Sequence, residues 1–191
     1  MPRLQQWAEQ GWTAEAGLAF FDSLAAIRPE DMTGEWRGTE LPSGHPLDGL
    51  LAAYGWCGKR FTDQDRVDPL LFRDAGAVRA VNPARLPLGL ALALPRIART
   101  SAAQGLFRLL LPVLVTDRPG ARLRSMEHRG LISAAMIYDD QPIIDHFRRV
   151  DEDRLLGLMD LRLTPEPVLL PADPDYSVRA ISSFMISLVP P

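Results

Sequence analysis

The sequence predicts a mainly β, α+β fold: an antiparallel β-barrel, or a strongly curved sheet, with flanking helices. Three observations lead there. From Ala121 onward, stretches of alternating character follow one another with short polar turns between them, the pattern of an antiparallel meander. Near the start, residues 13–27 carry a helical stripe. Between them, Met32–Phe61 packs two Trp, a Tyr, a His, the only Cys, the only Lys and six Gly into one short segment.

Composition sets the outer bounds. A chain of 191 residues makes one domain, or two small intimate ones, and buries about 70% of its unfolded surface. We expect a single domain over 1–191: a helix plus the aromatic segment in 13–72, a helical or irregular connection in 73–120, and the strand meander in 121–191. The net charge of −3 gives no large attraction to nucleic acid or to an anionic membrane. One Cys excludes an internal disulfide and a cysteine-rich metal site, and the three His have no ligand spacing, so no metal and no cofactor is expected. MPRLQQWAEQ has no apolar core of a secretory signal. The longest apolar run, LPLGLALALPRIA, is interrupted by Pro87 and Pro95 and is too short to cross a bilayer. The expectation is a cytoplasmic protein with no integral membrane segment; a homodimer is a possible assembly.

The elements follow in order. In TAEAGLAFFDSLAAI, Thr13 suits an N-cap, Ala14, Leu18, Phe21 and Ala25 form a helical stripe that Phe20 and Leu24 widen, and Pro29 ends the helix. GEWRG reads as a strand with Trp36 on one face and Glu35 and Arg37 on the other. Gly34 and Gly38 flank Trp36 on its own face, leaving room for a second element or a bulge. PSGHP breaks the chain. LDGLLAAYGW then reads as a short helix with Leu47, Leu50, Leu51 and Tyr54 on one stripe, capped by His45 or Ser43. TDQDRVD is a loop, PLLF a short strand and AVRAVN a modest one. LPLGLALAL fits a buried strand or a helix fragment equally, and 98–111 reads as a helical lid. ARLRSMEH, LISAAMIY, PIIDHFRRV and LLGLMDLRL are strands, and VRAISSFMISL, 178–188, is a candidate last one.

GEWRG, SGHPLDGLL, YGWCGKRF and PLLF at 69–72 occur in that order, and the set resembles the GXWXG family. Ser133–Asp160, SAAMIYDDQPIIDHFRRVDEDRLLGLMD, resembles the domain of unknown function that commonly follows it. Together the likeness spans roughly residues 15 to 165. It implies a small lipocalin-like β-barrel with ligand binding suspected, and no established reaction. The Pro-rich EPVLLPADPDY departs from the family pattern.

Polar groups that could carry chemistry are His45, Asp48, Lys59, Asp139, Asp140, Asp145, His146, Arg148 and Asp160. His45 and Asp48 sit where a short helix begins, which suits capping and equally an anionic or carbonyl ligand group. Of 21 basic residues a single one is lysine, Lys59. It suits a surface ion pair or a helix end; buried, it would serve as a base or Schiff-base amine. Asp145 and His146 are neighbours on one strand, so only one of them faces inward, and an inward charge needs a partner, with Arg37, Arg124 or Arg148 as candidates. Asp160 lies on the strand expected to pair with that one; two inward carboxylates would make an acid–base pair. Trp36, Tyr54, Trp56 and Tyr138 suit the wall of an apolar cavity.

The sequence therefore points to a barrel that binds a small apolar molecule, with Trp36, His45, Asp48, Tyr54, Trp56, Lys59, Tyr138 and Arg148 as candidate contacts. The alternative on the same scaffold is a cofactor-independent isomerase, cyclase or dehydratase acting on a natural-product-like substrate, with Asp145, His146 and Asp160 as acid–base groups.

Overall fold

The computed structural model describes residues 13–162, apart from Gly44, Pro46 and Ala75, together with residues 184–191. Nine strands account for the sheet: β1 (Gly34–Leu41), β2 (Trp56–Phe61), β3 (Val67–Asp74), β4 (Ala77–Ala80), β5 (Ala121–His128), β6 (Leu131–Tyr138), β7 (Ile143–Asp151), β8 (Arg154–Leu161) and β9 (Phe184–Val189). Their order is β2-β1-β9-β8-β7-β6-β5-β3-β4, and β2 also pairs with β3. That last pairing closes eight antiparallel strands into a barrel and leaves β4 as an extension of β3. Eight strands enclose a space that side chains can fill or that can hold one small ligand.

The helices are α1 (Ala14–Asp22), α2 (Leu50–Ala53), α3 (Leu88–Ala93), α4 (Pro95–Ala98) and α5 (Ser101–Leu114). α1 is capped by the Thr13 hydroxyl, which accepts from Ala16 N–H. It lies on the outer wall, where Phe21 packs with Leu41, Leu156, Leu158 and Met185. It stops five residues short of the expected Ile27, because the chain beyond it is claimed by the sheet. Ala25 O accepts from Arg149 N–H at 2.8 Å and Ile27 O accepts from Ala134 N–H at 2.8 Å. The segment thus wedges between β6 and β7, whose own pairing spans only Ala135–Ile137. Ser133 Oγ bridges the gap, accepting from Ile27 N–H and donating to Phe147 O.

The ambiguous run after Asn82 is helical: α3, α4 and α5 follow one another, with Thr100 capping α5. The end of α5 is tied to the β4 edge by Asn82 N–H to Leu114 O and Thr116 N–H to Ala80 O. β9 lies between β8 and β1 and completes the ring. The sequence expectation for 178–188 therefore holds from Phe184 on; 178–183 lie outside the described residues.

One end of the barrel is packed solid. Phe61 meets Phe147 edge to face at 5.9 Å, and Trp36 sits there with its indole N–H donating to Met32 O at 2.7 Å. Leu123, Met136, Leu155 and Leu188 fill the same core. Among the described residues no helix is long and apolar enough to cross a membrane.

Candidate functional site

The other half of the barrel is hollow. A cavity of about 580 Å³ is walled by Trp56 and Lys59 of β2, Leu70 and Phe72 of β3, Tyr138 of β6, Ile143 and Asp145 of β7, Met159 of β8 and Ile186 of β9. On β2, β7 and β9 the next inward residues toward the other end, Phe61, Phe147 and Leu188, belong to the packed core and do not border the space.

At the boundary between the filled and hollow halves lies a small polar cluster. Lys59 Nζ sits 2.8 Å from Asp145 Oδ2, with both side chains almost fully buried. Lys59 also donates to Pro69 O at 3.2 Å and to Tyr138 Oη at 3.3 Å. All three ammonium protons thus have acceptors. Burial, and then the Asp145 charge, push the Tyr138 phenol well above its usual range, so it stays protonated. Because it accepts from Lys59, its own proton is left for an acceptor in the cavity. Trp56, on the same wall, has an indole N–H with no partner among the described residues.

A bulge in β2 is what brings Trp56 and Lys59 to the same face. Strict alternation would send residues three apart to opposite sides. The pairing of β2 with β3 slips between Trp56 and Gly58 and again between Gly58 and Arg60. Gly58 has φ +150°, and a Cβ there would lie 1.9 Å from Trp36 O. The sequence reading of Gly38 as room for a second element also holds: a Cβ on Gly38 would meet the Trp56 indole at 2.0 Å. Outside the wall, Arg60 pairs with Glu35 at 2.9 Å and Asp68 at 3.2 Å.

The mouth is roofed by α2 and by α3 to α5. Leu47, Leu50, Leu51 and Tyr54 close one side, and Leu86, Leu88, Phe107 and Leu114 are among those on the other. Tyr54 Oη donates to Ala98 O at 2.7 Å and its ring meets Phe107 edge to face at 5.0 Å. Sequence reasoning missed Glu40, which caps α2 from β1 by accepting from Leu51 and Ala52 N–H. Its signal would have been a lone Glu near the end of a strand facing a short helix start. Burial raises its carboxyl, against the lowering from those two donors.

Several candidate residues stand elsewhere. Trp36 belongs to the packed core and does not line the cavity. His45 and Asp48 also stay outside it and organise the turn before α2. The Asp48 carboxylate accepts from Ser43 N–H, Ser43 Oγ and His45 N–H, while His45 Nδ1 accepts from Leu47 N–H. Burial lowers the His45 imidazole, against the opposing Asp48 charge. Asp139 and Asp140 are exposed, and Asp139 pairs with Arg122 at 2.8 Å.

Asp145 faces inward with Ile143 and Phe147, and its partner is Lys59, not one of the arginines. His146, Arg148 and Asp160 face out. Asp160 sits opposite Ile144, and Met159, opposite Asp145, is the one that faces in, so the two carboxylates do not meet. Arg148 is buried under α1 over the Phe21 ring and donates to His128 O and Leu131 O.

His128, His146 and Asp160 form a second cluster outside the barrel, with one ligand atom from each within 4.8 Å of the others. The two imidazoles stack at 3.8 Å and 9°. Parallel rings aim their nitrogen lone pairs side by side, so one would have to turn before both could bind one ion. Burial, followed by the charges of His128 and Arg148, lowers His146 to about 4.

Fold and site together define an antiparallel eight-stranded barrel with a lipocalin-like cavity. The model of the GXWXG protein family matches residues 19–76, and that of the domain of unknown function DUF4334 matches residues 119–170. The chain belongs to the GXWXG family, in the arrangement where DUF4334 follows. A crystal structure of a protein from Thermomonospora curvata is similar over 100% of this chain and 99% of that one, with 30% identity and a TM-score of 0.61. No curated protein matches.

Proposed function

We propose that the protein binds a small, largely apolar molecule in the barrel cavity, with one uncharged acceptor oxygen at the molecule's deep end. The observation that carries this reading is the cavity itself: about 580 Å³ of mostly apolar wall with the Lys59–Asp145–Tyr138 cluster at its floor. That volume is in the range of small-molecule sites, where a few polar groups orient an otherwise greasy ligand. The Lys59 and Asp145 charges neutralise each other, which favours a carbonyl, ether or hydroxyl oxygen over a carboxylate. The Tyr138 proton is the donor such an oxygen would take. Titration with Nile red should give saturable binding with quenching of Trp56. Leu70→Trp, which fills the space, should remove it. No saturable binding by the unaltered protein would contradict the reading.

A second reading rests on the same floor. A protonated phenol held by an ammonium and flanked by a carboxylate can give or take a proton from a compound held against the cavity floor. This supports a cofactor-independent isomerase, cyclase or dehydratase with Tyr138 as donor and Asp145 as base. Under it, Tyr138→Phe and Asp145→Asn abolish turnover of the bound compound while Tyr138→Phe still binds it. Unchanged turnover in both would remove the reading.

A further inference from the structure

The roof of the cavity carries a second apolar face that no described residue covers. On α5, Phe107, Leu111 and Leu114 pack against the barrel core. Leu106, Leu109, Leu110 and Val113, at i, i+3, i+4 and i+7, form another stripe, and all four are exposed, Leu109 at 76% and Val113 at 62%. Leu90, Leu94 and Ile97 of the preceding segment are exposed as well. Seven large aliphatic side chains on neighbouring elements exceed what a water-facing surface ordinarily shows. Five of them, all but Leu109 and Val113, also border the cavity, so the hollow opens at this face.

Charge identifies the occupant. The chain as a whole is net −3, yet from 75 to 116 it has five arginines and not one Asp or Glu. These are Arg79, Arg85, Arg96, Arg99 and Arg108, all exposed. The whole-chain charge conceals this local excess. A second copy of the chain is a poor fit: a two-fold interface sets a patch against itself, so a segment whose only charged residues are arginines would meet its own charge. An anionic lipid surface fits both features, since apolar side chains enter the interface and arginines meet the headgroups.

We propose that the α3–α5 roof docks on an anionic membrane surface, with the cavity mouth turned toward the bilayer. An apolar ligand could then pass between bilayer and barrel; that clause alone rests on the function proposed above. The test is co-sedimentation of the full chain with vesicles of phosphatidylcholine alone or mixed with phosphatidylglycerol. The protein should sediment with the mixed vesicles, less so at high salt, and not with phosphatidylcholine alone. Arg96→Gln and Arg108→Gln should each weaken binding about fivefold. Leu109→Glu with Val113→Glu should abolish it. Neither of those two residues lines the cavity, so Nile red titration of that variant reports folding and ligand binding separately from docking. Failure to sediment with either vesicle overturns the proposal, as does sedimentation that the double variant leaves unchanged. A dimer in sedimentation velocity that the double variant splits, without vesicle binding, would assign the face to a second copy and overturn it too.

Discussion

Lys59 and Asp145 are two charges taken out of water inside an apolar barrel, and each is tolerable only because of the other. Removing one partner strands the second. Lys59→Met alone should therefore cost about 3–5 kcal/mol in urea denaturation, whereas Lys59→Met with Asp145→Leu should recover most of it. A double variant no more stable than the single one would contradict this account of the pair. His146 makes a pH prediction. Its folded value of about 4 lies below the 6.5 of an unfolded imidazole, so the folded state holds it neutral. Above 6.5 it leaves stability unaffected by pH; as pH falls from 6.5 toward 4, the unfolded chain takes up the proton first and stability drops, by roughly 3 kcal/mol at most. His146→Gln should flatten that part of the stability–pH curve; an unchanged slope between pH 7 and 5 would sink the assignment. The sequence singled out Lys59 and Asp145 but not their pairing. Alternation shows that Asp145 and His146 face opposite ways, and only the closed barrel decides which way is in.

At the scale of elements, β2 depends on its bulge. Gly58→Ala forces a side chain into φ +150° and against the Trp36 carbonyl. It should destabilise the fold by about 2–4 kcal/mol, combining backbone strain with overpacking. It should also turn Lys59 away from Tyr138, which a loss of Nile red binding at temperatures where the variant is still folded would report. A variant as stable as the parent would show that the bulge is dispensable. β5 to β8 were legible in the sequence, because runs of strand character follow one another and polar breaks such as Asp139–Asp140 and Glu152–Asp153 separate them. α1 was legible at its capped start but not at its end. Ala25 and Ile27 have helical character, and a contact with β6 and β7, distant in sequence, overrides it. The run from Leu86 could not be assigned from its pattern, since a short apolar stretch suits a strand and a helix alike.

For the whole molecule, the decisive fact is that the barrel is filled from one end only. Closure requires β9 to join β1 and β8, strands far apart in the chain, and the split between packed core and cavity depends on which inward residues stack above one another. Neither is written in local pattern, which is why Trp36, an obvious cavity candidate by type, lies in the packed half while Tyr138 marks the floor. We propose that the hollow half holds an apolar molecule. Native mass spectrometry of freshly purified protein, followed by extraction, tests it most directly. A discrete co-purified apolar compound with an acceptor oxygen is expected, displaced by Nile red and lost in Leu70→Trp. A clean apo mass, together with no binding of any apolar probe added in excess, would contradict it.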